Sequence, residues 1–407
     1  MPGRQWLADW PQRTMVRASG AKITIRPILA FQGTIPKVQP FELRGGGVLL
    51  ATPTSADVDA ITELCQDENI QRWTTVPVPY YRSHAEQFLT ELVEPGWQAG
   101  TSLTWALRNP EDRTVLGMVG LGLRDGRGSG EIGFWLGPAH RGRGLMTAAV
   151  RLVSEYAFAP EGLGLERIVW RAGVGNWASR RVAWRLGFTI EGTHRKDLLK
   201  HGERVDAWFG TLIAGDPGEP KTRWLNVPTL TGSSVVLRRF AESDADACVE
   251  ACNDPVTRTW LGHLPSPYTR DVALGYIRTR ENEHAEGTAL HWAAAPVGGG
   301  PAIGAFSLMG IRDGRAEVGY WVHPAARGAG VATQAVRLMV QHAFAERASG
   351  GLGLRRLVLA RAEGNDASGT VAERAGFRRY GVEHQAEQLG EGSWADLHWY
   401  ELLAPPP

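Results

Sequence analysis

Apolar residues along this chain recur in two rhythms, and the rhythms succeed one another in a fixed order. After Ser55, a suitable N-cap, the positions Val58, Ile61 and Cys65 fall on one face of a helix. Ser83 followed by Glu86 has the form of a capping box and predicts a second helix with Phe88, Leu89 and Leu92 inward. The runs SLTWALR, VLGMVGLGL and EIGFWL then read as strands. A Gly-rich turn leads into a helix with Leu145, Ala149, Leu152 and Tyr156 on one face. LERIVWR predicts a further strand, NWASRRVAWRLGF a helix, and VDAWFGTLI a last strand. The fold class expected is α/β: a mixed, mainly antiparallel sheet flanked by helices.

The whole series occurs twice. GEIGFWLGPAHRGRGLMTAAVRLV, from Gly130, returns as AEVGYWVHPAARGAGVATQAVRLM, in which Glu317 answers Glu131. GLGLERIVWRAGVGNWASRRVAWRLGF returns as GLGLRRLVLARAEGNDASGTVAERAGF. Ser243, Ala245, Cys248 and Cys252 repeat the first helix. The offset is 187 residues from Trp73 to Trp260 and from Trp105 to Trp292, 186 from Gly144 to Gly330, and 189 from Asn176 to Asn365. So small a drift over so long a stretch marks duplicated domains that differ by a few loop residues. The copies are expected at 46–213 and 229–403, joined by a Pro-rich connector at 214–228, with an extension at 1–45 and a tail at 404–407.

Composition narrows the function classes. The 407 residues exceed what one ordinary core takes, in keeping with two domains. Lys and Arg number 44 against 43 Asp and Glu, without the basic excess of a nucleic-acid binder, so no nucleic-acid partner is expected. Cys65, Cys248 and Cys252 lack metal-site or redox spacing; no metal is expected, and the low, odd count fits a reducing compartment. No run approaches the roughly 18 apolar residues of a membrane span, and the N-terminus lacks a signal-peptide apolar region. The expectation is a cytoplasmic protein without a membrane partner.

Each copy places a Gly/Arg turn between a strand and a helix, at His140–Met146 and Ala326–Ala332. A helix N-terminus offers unpaired amides and a positive dipole end, and glycines admit an anion closely; this suits a pyrophosphate. A phosphate-binding loop of the Gly-Lys-Ser/Thr kind is absent, and the third Gly of a dinucleotide fingerprint is replaced by Thr147 and Thr333.

Arg141-x-x-Gly144-x-Met146 and Arg327-x-x-Gly330-x-Ala332 resemble the acyl-CoA pyrophosphate loop of the GNAT N-acetyltransferases. The Asn-x-x-Ser motifs, at Asn176 with Ser179 and at Asn365 with Ser368, resemble the branch that acetylates ribosomal-protein N-termini and related small amines. Each is followed by an apolar helix and a Gly-Phe pair, Gly187-Phe188 and Gly376-Phe377. The resemblance covers nearly everything after residue 46. It implies acetyl-CoA, or another acyl-CoA, as co-substrate. The pyrophosphate would lie on the loop amides of Arg141, Gly142, Arg143, Gly144, Leu145 and Met146, and of Arg327, Gly328, Ala329, Gly330, Val331 and Ala332. The pantetheine would run beside Trp135 and Leu136, or Trp321 and Val322. Asn176 and Asn365 would contact the cofactor arm, and Ser179 and Ser368 would protonate the departing thiolate.

Chemistry adds a demand of its own. An amine attacks a thioester only when neutral, yet a lysine-like amine has a pKa of about 10.4, so the site must take up a proton. In EIGFWL, Glu131 shares a strand face with Gly133 and Trp135; Glu317, Gly319 and Trp321 repeat this. Glu131 and Glu317 are therefore candidate bases, against a solvated or salt-bridged role for each. Asp206 and Asp396 on the last strand are second candidates, with a structural hydrogen-bonding role competing. Two departures from the family pattern stand out: Ala148 and Gln334 where it often has Glu, and Met146 where it has a small residue. The cysteines are not placed as nucleophiles, so direct transfer is expected.

Trp73, Tyr80 and Tyr81, and Trp260, His263 and Tyr268, flank the expected acceptor pockets, the tryptophans reading as packing. The expected activity is acyl transfer to a primary amine of a small molecule or peptide. The alternatives are a non-catalytic acyl-CoA sensor, and one live domain beside a degenerate scaffold.

Overall fold

The computed structural model describes residues 39–124 and 128–406, in two units, Met1–Lys221 and Thr222–Pro407. The first begins with strands β1 (Leu43–Gly45) and β2 (Val48–Ala51), followed by short helices α1 (Val58–Leu64), α2 (Glu68–Trp73) and α3 (Arg82–Gln87). A wider helical turn, Phe88–Val93, leads into α4 (Glu94–Ala99). Then come β3 (Ser102–Arg108), β4 (Val115–Arg124), β5 (Ser129–Leu136), α5 (Leu145–Phe158) and β6 (Arg167–Gly173). The unit closes with α6 (Trp177–Arg185), β7 (Thr189–Lys200) and β8 (Glu203–Ile213). Of the extension read at 1–45, residues 1–38 lie outside those described; Phe41 packs edge-on to Trp97 and Trp105.

The second unit repeats the order with β9 (Leu230–Thr231), β10 (Val235–Arg238), α7 (Ala245–Asn253), α8 (Pro255–Trp260) and α9 (Arg270–Glu286). It continues with β11 (Leu290–Pro296), β12 (Gly304–Arg312), β13 (Arg315–Val322) and α10 (Val331–Phe344). Last are β14 (Arg356–Ala362), α11 (Asp366–Arg374), β15 (Arg378–Gln388) and β16 (Trp394–Leu403). Residues 222–228, within the connector read at 214–228, are packed: Trp224 and Leu225 are buried, and the Trp292 indole donates to the Pro228 carbonyl at 2.9 Å.

Each sheet has eight strands, in the orders β1-β2-β3-β4-β5-β6-β8-β7 and β15-β16-β14-β13-β12-β11-β10-β9. Every pairing is antiparallel except β5 with β6 and β13 with β14, which make the sheets mixed. Those parallel ladders are short. They run from Ser129↔Arg167 to Ile132↔Trp170, and from Arg315↔Arg356 to Glu317↔Val358. Beyond them the facing edges have no ladder between them among the described residues, although the Leu136 and Val322 carbonyls accept from loop arginines.

Local details depart from the sequence pattern for physical reasons. The first helices begin in 3-10 turns at Ser55–Asp57 and Glu242–Asp244, capped by Thr54 and Ala241 rather than by Ser55 and Ser243. The ordering group is the acid three residues on: Asp57 accepts from the Thr54 amide at 2.7 Å and Asp244 from that of Ala241 at 2.9 Å. Both acids are also held by arginines, Asp57 by Arg108 and Asp244 by Arg238. The capping box expected at Ser83 and Glu86 sits at Tyr81 and His84, and Glu86 pairs with Arg82. The wide turn at 88–93 shifts the helical phase, burying Leu89 and Val93 and exposing Leu92. On α5 the buried stripe is Met146, Ala149, Val150, Val153 and Ala157, one position round from the face expected.

Candidate active site

The loops between β5 and α5 and between β13 and α10 share one construction. Gly142 and Gly144, with φ of 77° and 79°, match Gly328 and Gly330 at 76° and 77°. Residues with a Cβ are strained there, which accounts for glycine at each. A Cβ on any of the four would meet nothing within 4 Å, so the loop surface is open to a ligand. Gly144 and Gly330 are N-caps of 14-residue helices whose first-turn amides have no intrahelical acceptor. That is an anion cradle.

The loop arginine side chains are held by the preceding strand and a neighbouring helix cap. Arg141 donates to the Leu136 carbonyl at 3.0 Å and pairs with Asp67, the N-cap of α2. Arg327 donates to Asp254, the N-cap of α8, at 2.6 Å and to Thr257 at 2.7 Å. Burial pushes both aspartates up, but the guanidiniums outweigh it and hold both below the ordinary carboxylate range. Arg141 and Arg327 thus brace the loops from behind, leaving the backbone amides as the ligand-facing groups. The Met146 side chain turns into the core, whereas Ala332 lines the cleft described next.

In the second unit the gap between β13 and β14 is a cleft of about 620 Å³. Trp321, Val322, Arg327, Gly328, Gly330, Val331, Ala332, Asn365 and Ser368 line it, together with Glu317 where the parallel ladder stops. Arg143 and Ala329 are loop positions, with Ala329 lining a neighbouring hollow beside Gly330. In the first unit Trp135, Leu136 and Leu145 are half-buried and packed against the core.

Asn176 and Asn365 are N-caps, accepting from the amides of Ser179 at 3.2 Å and Ser368 at 3.3 Å. The serines differ in what stands behind them. Ser368 Oγ lies 3.0 Å from the Tyr320 hydroxyl, whereas Ser179 Oγ accepts from the Trp170 indole at 2.9 Å. Burial pushes the Tyr320 phenol up to about 12, so it remains a donor. Phe134 occupies the equivalent strand position in the first unit.

The two glutamates differ more sharply. Arg171 grips Glu131 at both oxygens, at 2.9 and 3.0 Å, and also pairs with Asp197 at 2.9 Å. Ala360 stands at the Arg171 position in the second unit, opposite Trp399 as Arg171 is opposite Phe209. Among the described residues no cation pairs with Glu317; burial and then the charge of Glu387 raise its carboxyl. A carboxylate so raised is better matched to accepting an amine proton near neutral pH.

Asp206 and Asp396 are taken up by the backbone. Asp206 accepts from the Lys196 amide at 2.9 Å; Asp396 accepts from the Gln385 amide at 2.9 Å and meets His384 at 2.7 Å. Lys196 and Gln385 have φ of 54° and 50° where β7 and β15 bulge against their partners. These aspartates hold the bulges, and Asp396 is not among the residues lining the cleft of the second unit.

The Acetyltransferase (GNAT) domain family matches residues 48–189 and again 234–378, most of the chain. The chain belongs to the GNAT acetyltransferase family. Acyl-CoA-dependent N-acetyl transfer is the chemistry of that family. Among relatives, YdaF of Bacillus subtilis, provisionally named a ribosomal N-acetyltransferase, is 38% identical over 103 residues, 25% of this chain and 55% of YdaF. The uncharacterized N-acetyltransferase YoaA of Bacillus subtilis is 27% identical over 182 residues, 44% of this chain and 98% of YoaA. The ribosomal-protein-serine acetyltransferase of Escherichia coli is 41% identical over 63 residues, 15% of this chain and 34% of that protein. The match thus spans about half of YdaF and a third of the Escherichia coli enzyme.

Solved structures of similar fold include a GNAT-family acetyltransferase from Bacillus anthracis and Mycobacterium smegmatis RimJ with a CoA disulfide. The first is 18% identical at TM-score 0.38, over 43% of this chain and 98% of that one. The second is 20% identical at TM-score 0.39, over 44% and 88%.

Several residues in and around the two candidate sites escaped the sequence reading: Tyr320 and Glu387 in the cleft, Arg171 beside Glu131, and the bracing pair Asp67 and Asp254. A signal existed for Tyr320 and Arg171, since both lie at positions where the aligned copies change chemistry, Phe134 against Tyr320 and Arg171 against Ala360. Trp260, expected as packing, lines the cleft. Tyr80 and Tyr268 are buried, and Tyr81 is exposed. No helix among the described residues is long and apolar enough to cross a membrane, and none of their acidic, His or Cys side chains form a metal-binding group.

Proposed function

We propose that this chain transfers an acetyl group from acetyl-CoA to a primary amine, and that turnover belongs to the second unit. The observation that carries this is the unpaired Glu317 in the cleft, set against Glu131 held at both oxygens by Arg171. The amides of Gly328 to Ala332 receive the pyrophosphate, and the open strand edges of β13 and β14 receive the amide-bearing arm. The amine nitrogen bonds to the thioester carbonyl carbon while the carbon–sulfur bond breaks. The amine proton goes to Glu317. Ser368, backed by the Tyr320 hydroxyl, supplies a proton to the sulfur, and the proton held by Glu317 then passes through solvent to restore Ser368, so the site ends as it began. The buried cysteines take no part, burial raising Cys248 to about 12 and Cys252 to about 11.

In the first unit, a proton can reach Glu131 only at the cost of a bidentate ion pair, so that unit serves as scaffold or as a second acyl-CoA holder. The acceptor is a small-molecule amine or a peptide N-terminus; the ribosomal proteins in the relatives' names are in keeping with the second. Calorimetric titration with acetyl-CoA, followed by thiol release across an amine panel, tests the reading. Binding with release that Glu317→Gln abolishes supports it. Binding without release favours a sensor, and absence of binding overturns acyl transfer.

A further inference from the structure

The cleft of the second unit contains a carboxylate that the transfer chemistry above does not use. Glu387 lines it close enough to Glu317 for its charge to act there, and Trp260, Leu261 and Trp399 line it too. Its presence there is built into the fold. β15 bulges between Glu383 and Glu387, Asp396 pins the bulge, and the register resumes at Glu387↔Ala395. The hairpin tip is then fixed against the end of α8, where the Gly390 amide donates to the Thr259 carbonyl at 3.0 Å. A Cβ at Gly262 or Gly390 would collide with the Gln388 or Arg258 carbonyl oxygen. Trp399 is held in turn by Glu383, which accepts from its indole at 3.1 Å.

Two of the three arginines that share the lining are committed elsewhere. Arg327 is bound to Asp254, and Arg361 meets Asp366 at 3.3 Å and the Ala362 carbonyl. Arg374 also lines the hollow beside Gly330, at the loop end. Among the described residues neither Glu317 nor Glu387 has an ion-pair partner. One base accounts for one carboxylate; the second calls for a second positive group.

We propose that Glu387 determines acceptor specificity, binding a second cationic group of an amine whose reacting nitrogen lies at Glu317, so that the second unit prefers dicationic amines. This rests on the reading that the second unit performs the transfer. Charge on Glu387 also raises Glu317, so one residue both recruits the acceptor and tunes the base.

The test compares cadaverine with n-pentylamine, equal in length and differing in one ammonium, by CoA release from acetyl-CoA in the full chain. The native protein is expected to favour cadaverine in kcat/KM. In Glu387→Gln that preference falls about tenfold, mainly through KM, as expected for one charge-assisted contact. The acid limb of its pH–rate profile moves to lower pH, because Glu317 loses a neighbouring negative charge; a merely structural Glu387 would leave the ratio of KM for the two amines in place. Acetyl-CoA affinity and melting temperature, measured alongside, report that the variant is folded. Equal use of the two amines by the native protein, or a preference retained in Glu387→Gln, overturns this inference while N-acyl transfer stands. Absence of acetyl-CoA binding and of release from any amine overturns the underlying reading with it.

Discussion

At the scale of single residues, the two glutamates on matching strands show how neighbours decide chemistry. Glu317 is raised by burial and by Glu387. As a base it works deprotonated, so activity is lost as pH falls through its raised pKa, above the range of an ordinary glutamate. A kcat/KM profile checks this, and Glu317→Gln is expected to lower kcat by about 10²- to 10⁴-fold with little effect on acetyl-CoA affinity. Asp244 shows the opposite balance. Burial pushes its carboxyl up, yet Arg238 and the amides of Ala241 and Ala302 together hold it low. With its folded pKa below the unfolded value of about 3.9, its contribution is present above that pH and lost as pH falls through the folded pKa. Asp244→Ala also strands the buried Ala302 amide and the Arg238 guanidinium; a loss of about 3–5 kcal/mol is expected for the unfolding transition of the second unit in urea.

At the scale of elements, much was legible in the sequence because period and order survive in it. The strand runs, the loop glycines and the Asn-x-x-Ser caps all lie where the pattern placed them, since each depends on a few adjacent residues. What was not legible depends on contacts across the sheet. Arg171 reaches Glu131 from a parallel strand 40 residues away, and Glu387 reaches the cleft only because a bulge rotates β15. Asp206 and Asp396 resembled catalytic acids by position alone, and only the cross-strand register reveals them as bulge anchors. The inward face at 88–93 shifted for a local reason, the turn there being wider than an α-helical one. The loop supports a prediction of its own. Gly330→Ala imposes a left-handed conformation on a residue with a Cβ, a strain of about 1–2 kcal/mol. Where the loop relaxes to relieve it, acetyl-CoA affinity falls about tenfold in calorimetry, and the strain lowers the melting temperature by a few degrees even though nothing crowds the new methyl.

At the scale of the whole molecule, duplication supplies an internal control, because both copies keep the phosphate loop and differ in the proton-handling groups. Trp170 donates to Ser179 where Tyr320 meets Ser368, and Arg171 fills the position of Ala360. If these exchanges are what separate the units, chemistry should follow the residues and not the copy. Glu131→Gln is expected to retain most turnover, Glu317→Gln to remove nearly all of it, and both proteins to bind acetyl-CoA with the native stoichiometry. The stronger test transplants the difference. Ala360→Arg places a guanidinium where the first unit has one, facing Glu317 across the same parallel ladder. A salt-bridged Glu317 would have a lowered pKa and a proton affinity too weak for an incoming ammonium, so kcat should fall about 10²-fold or more. Full activity in Ala360→Arg would mean that Glu317 is not the base. Equal losses in Glu131→Gln and Glu317→Gln would mean that both units turn over, with the ion pair in the first opening as the amine arrives.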